Sequence, residues 1–72
     1  MASDERQKLR TMLRYWLEHN KEHGQEFWEW ADRIAKLGDI ETAKKLEQAA
    51  QEMDKASDSL SYALRNLEKG GR

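Results

Sequence analysis

Seventy-two residues with no cysteine and no proline allow one small domain without disulfide support. Thirteen basic side chains nearly balance fourteen acidic ones, so a net charge of −1 supplies no field that would draw the chain to nucleic acid or anionic lipid. With a mean hydropathy of −1.11 no apolar run approaches the roughly 18 residues of a membrane span, and Met1-Ala2-Ser3-Asp4 is not a signal peptide, so the expectation is a cytoplasmic protein without nucleic-acid or membrane partners.

Leu, Ala, Glu, Lys, Gln and Arg, the strong helix formers, dominate, and Val is absent. The chain reads as all-α. Ser3 is placed to cap a first helix whose opening turn holds Asp4 and Glu5, the sign the helix dipole favours. That helix is predicted over about residues 4–37. Its apolar stripe runs Leu9, Leu13, Trp16, Asn20, His23, Phe27, Trp30, Ile34 and Leu37, in alternating steps of four and three. The stripe crosses Gly24 without losing phase. A loop at Gly24 would reset the phase and give a monomeric three-helix bundle, the alternative architecture. A glycine inside the helix costs only about 1 kcal/mol relative to alanine, and no Asn, Ser or Pro adjoins Gly24, so one continuous helix is favoured.

Gly38-Asp39 is the clear break: glycine supplies a left-handed C′ residue and Asp39 can cap a new helix. This second helix is predicted over about residues 40–69, with Arg65 and Lys69 near its end and Gly70-Gly71 terminating it. Its stripe is Ala43, Leu46, Ala50, Met53, Ser57, Leu60, Leu64 and Leu67. Folding back at residues 38–39 opposes positions whose numbers sum to 76 or 77, pairing Phe27 with Ala50, His23 with Met53, Asn20 with Ser57 and Leu9 with Leu67. The predicted architecture is a long antiparallel helical hairpin.

Two helices cannot enclose a core. Ala49, Ala56 and Ala63 form a column beside the second stripe, and Met12 and His19 lie on the same side of the first helix. That face suits a second copy, so a homodimeric four-helix bundle is expected. Trp16 and Trp30 are read as core. Trp28 falls on the outer side, as an interface anchor or a second packing face, and Tyr62 is also expected outward.

His19 and His23 stand four apart, the spacing at which two imidazoles on one helix can bind a single metal ion. Glu22, Glu26 and Asp54 are candidate oxygen ligands, and such a mixed set suits Ni, Co or Zn. The plainer reading has His23 hydrogen-bonded in the seam and His19 half solvated. Asn20 at a seam position, with Ser57 opposite, serves to fix register. Arg6, Lys8, Arg10 and Arg14 make a solvated basic face without grouped aromatics. Ser57, Ser59 and Ser61 have no identifiable base, and there is no Gly-rich phosphate loop, so an enzyme is not expected.

Trp16, His19, Asn20 and His23, followed by Glu26, Phe27, Trp30 and Ala31, resemble a pattern in a family of small, functionally unassigned prokaryotic helical proteins. The resemblance extends through Leu37-Gly38 and the Ala-rich second half, and implies a helical fold and a connection to nickel or cobalt handling. Where some members carry a further His one turn earlier, this chain has Tyr15. Two functions are consistent with these residues. One is a non-enzymatic helical dimerisation or protein-interaction module. The other is a small transition-metal-binding or metal-handling protein using His19 and His23.

Overall fold

A computed structural model describes residues 2–69 as two helices, α1 (Ala2–Lys36) and α2 (Ile40–Lys69), folded back on each other as an antiparallel hairpin. The 35 residues of α1, at about 1.5 Å each, account for the long axis of a body measuring 54 × 14 × 12 Å. The first helix begins at Ala2, two residues before its expected start. The expected end caps, the Ser3 side chain and Gly70-Gly71, lie outside the described residues.

α1 is unbroken through Gly24, which overturns the three-helix alternative. Gly24 is buried against α2, and an added Cβ would lie 3.9 Å from the Met53 Cβ. The glycine is a point of close approach between helices, which explains why the apolar pattern keeps its phase there. Register agrees with the expectation: 24 and 53 sum to 77, and Leu9 shares a surface groove with Leu67.

The reversal is a Schellman motif joined directly to a cap. Gly38 sits at φ +97°, in the left-handed region open to glycine. The Asp39 amide donates to the Ile34 carbonyl at 3.2 Å and the Gly38 amide to the Ala35 carbonyl at 2.9 Å, satisfying the last carbonyls of α1. Asp39 then caps α2. Its Oδ1 accepts from the Thr42 amide at 3.1 Å and its Oδ2 accepts from the Thr42 hydroxyl at 2.8 Å. These two donors hold the Asp39 carboxyl below its ordinary value of 3.8.

Between the helices the seam differs from expectation. Leu13, Asn20, Phe27 and Ile34 do face α2, but the alternating partners are Leu17, Gly24 and Ala31, each one residue beyond the expected Trp16, His23 and Trp30. Among the described residues the buried hydrophobic ones are Leu13, Ala31, Ala43 and Ala50, three of the four being alanine. Trp16 and Trp30 are not core: they are 37% and 56% exposed. The physical reason is volume. The apolar stripe on α1 is wider than one neighbouring helix can cover. Small residues permit the closest backbone approach, so Gly24, which meets Met53, and the buried Ala31 take the positions facing α2, and the indoles are displaced to the flank.

Asn20 and Ser57 are both half-buried, at the level expected for a register pair. Among the described residues no hydrogen bond joins them; Ser57 instead lines a groove with Leu17, Lys21 and Gly24. At the open end, Arg14 forms an ion pair with Glu68 across the two helices. Arg10 is half-buried, bonded to Gln7 through Nη1 while its Nε is buried without a partner.

Candidate functional site

The displaced half of the stripe forms one long flank of the hairpin. On α1 it carries Trp16, His23 and Trp30 at intervals of seven, with Met12 and His19 beside them. Leu9, Met12, Trp16 and Trp30 are all more than a third exposed. By helical phase, the same side of α2 presents Ala49, Met53, Ala56, Leu60 and Ala63. Ala49, Met53 and Leu60 are half-buried, while Ala56 and Ala63 are exposed. Of the expected interface residues, Met12, His19, Ala49, Ala56 and Ala63 therefore share one flank.

Trp28 does not join them. It is 41% exposed and lines the groove on the opposite flank with Lys21, Gln25 and Asp54. Tyr62 is exposed as expected, with the Arg65 guanidinium over its ring at 5.3 Å.

At the middle of the apolar flank an aromatic ladder climbs α1 in steps of four. Tyr15 stacks on His19 with centroids 5.4 Å apart; His19 meets His23 edge to face at 4.3 Å; His23 stacks on Phe27 at 6.2 Å. Residues four apart lie one above the other on a helix face, and the ladder is a direct consequence. The two imidazoles point their Nε2 atoms at each other across 3.0 Å. Glu26 Oε1 lies 3.0 Å from His23 Nδ1. A carboxylate there accepts the Nδ1–H and so assigns the His23 tautomer, leaving its Nε2 lone pair free to accept from His19.

The five candidate ligands are thus divided. His19 and His23 converge. Glu26 reaches the far nitrogen of His23, where it orients the ring. Glu22 borders a shallow depression with Tyr15, Glu18 and His19. Asp54 lies in the groove beneath Trp28 on the other flank. No group of three or more His, Asp or Glu side chains arranged to hold a metal ion occurs among the described residues. The contribution of Tyr15 and Phe27 to the ladder is legible in the 15-19-23-27 spacing, although the apolar stripe assigns Phe27 to the seam and does not include Tyr15.

Residues 9–67 match a domain of unknown function, DUF8180. The chain is also similar to an uncharacterized protein of Archaeoglobus fulgidus (strain ATCC 49558), with 40% identity over 58 residues, covering 81% of this chain and 92% of the relative. No solved structure matches. No helix among the described residues is long and apolar enough to cross a membrane.

Proposed function

The chain belongs to the DUF8180 family, whose function is unassigned, and from its geometry we propose that it is a non-enzymatic helical association module, a hairpin that pairs with a second copy through the Trp16–Trp30 flank. The supporting observation is how little a single hairpin buries. Among the described residues its buried hydrophobic side chains are one leucine and three alanines. A compact folded monomer of 8.5 kDa exposes about 4,700 Å², whereas this chain exposes 5821 Å². The excess of roughly 1,100 Å² is larger than the ~800 Å² each partner contributes to a standard interface. Elongation points the same way: the radius of gyration is 16.3 Å against about 11 Å for a compact domain of this length.

A second copy fits this flank because the flank is self-complementary in kind. Along it α1 presents the indoles of Trp16 and Trp30 and α2 the small Ala49, Ala56 and Ala63, so a two-fold axis across the helices sets α1 against α1 under its own aromatic cover and lets the two copies of α2 approach closely on their alanines. The product is a four-helix bundle with the aromatic flank inside.

Light scattering after gel filtration tests this. The wild-type chain should elute as a dimer, at about twice 8.5 kDa. Trp16→Glu combined with Trp30→Glu should yield monomer, because a buried unpaired carboxylate is costly, while Trp28→Glu on the other flank should leave the dimer intact. A monomeric wild type at tens of micromolar would refute the proposal, as would dissociation by Trp28→Glu alone.

A further inference from the structure

We propose that His19 and His23 are half of a transition-metal site that the same pair on a second copy completes, one late first-row divalent ion being held by four imidazoles at the centre of the dimer. This rests on the dimer proposed above, and adds a ligand to it.

Three observations lead to it. First, the two Nε2 atoms lie 3.0 Å apart. An ion 2.0–2.1 Å from each nitrogen would hold them about 3.0 Å apart at a right angle and about 3.4 Å apart at the tetrahedral angle. The separation is therefore already that of a chelated pair, and binding needs the two rings to turn so that both lone pairs meet at the ion, with the His19 proton moved to Nδ1. Second, Glu26 on His23 Nδ1 is the carboxylate partner that metal-bound histidines usually have: it fixes the ring and selects the tautomer with Nε2 free. Third, among the described residues one hairpin brings only these two ligands together. A closed site needs donors from outside the hairpin.

Position supplies them. The pair is centred on residue 21, and Met12 and Trp30 lie nine residues to either side of that point. A two-fold axis through the same level sets His19 against the partner's His23 and Met12 against the partner's Trp30. Trp16 and Phe27 then border the imidazoles on each side and keep water from the site, Phe27 already stacking on His23. Uncharged nitrogen ligands under aromatic cover suit Zn, Ni, Co or Cu rather than Mg or Ca, which require oxygen.

The experiment uses untagged, EDTA-stripped protein, zinc chloride or nickel sulfate as the only added ligand, equilibrium dialysis for stoichiometry and light scattering for mass. The expected result is one ion per two chains at submicromolar affinity. Either His19→Ala or His23→Ala should weaken binding at least 100-fold, with the dimer persisting in EDTA. Glu26→Gln should weaken binding about 10-fold, as expected for loss of a ligand's supporting carboxylate. A dimer in EDTA that binds metal only at millimolar concentration overturns the site and leaves the association reading standing. A monomer that binds one ion per chain overturns both. A chain that dimerises only with metal supports the site and refutes association through the apolar flank alone.

Discussion

Replacing Gly24 with alanine tests the central feature of the hairpin, a glycine buried in the middle of an unbroken helix. An alanine in a helix interior is favoured over glycine by about 0.8–1.0 kcal/mol. The new methyl would sit 3.9 Å from the Met53 Cβ, which is ordinary contact rather than collision. Burying it adds up to about 0.8 kcal/mol. Gly24→Ala should therefore stabilise the fold by about 1–1.5 kcal/mol. For a domain of this size that raises the thermal midpoint by about 4–8 °C per kcal/mol, measured by circular dichroism at a single protein concentration because association contributes to stability. The same change at Gly38 should act in the opposite direction. At φ +97° the methyl meets open space but the backbone is left-handed, and a non-glycine residue there costs about 1–2 kcal/mol. If Gly24→Ala lowered the midpoint as Gly38→Ala does, Gly24 would be a turn residue and the continuous helix would be wrong.

The cap makes a pH prediction. The Asp39 carboxyl is held below 3.8 by the Thr42 amide and hydroxyl, so its stabilising contribution is complete above about pH 4 and is lost as pH falls below that value. Asp39→Asn keeps an acceptor for the Thr42 amide but does not titrate; the gap between wild type and variant should therefore shrink between pH 5 and 2.5 in parallel thermal melts, and a constant gap would contradict the role. The Arg14–Glu68 pair joins side chains that are 60% and 43% exposed. Arg14→Ala should cost no more than about 1 kcal/mol, and less in 1 M salt. Arg10→Met should raise stability by about 1 kcal/mol, since it removes a buried Nε without a partner and keeps the packing of the stem; urea unfolding would show the reverse if Nε were satisfied in solution.

Most of the architecture is legible from residue types alone. The absence of proline, the abundance of strong helix formers and the Gly38-Asp39 pair determine two helices and one reversal, because these signals act through local backbone chemistry. Register is legible too: once the reversal is placed, residues equidistant from it must lie side by side, and Gly24 against Met53 is the outcome. What the pattern leaves undecided is rotation. Trp16 and Leu17, His23 and Gly24, Trp30 and Ala31 are adjacent pairs on one wide stripe, and periodicity alone does not say which member faces the second helix. Only packing decides that. The closest backbone contact selects the smaller residue of each pair, and this choice moves both indoles and the His23 ring from the expected seam to the flank on which helical phase already places His19. The separation of Asp54 from the two histidines has the same origin, since a neighbouring position on α2 belongs to one flank or the other according to the rotation about the helix axis.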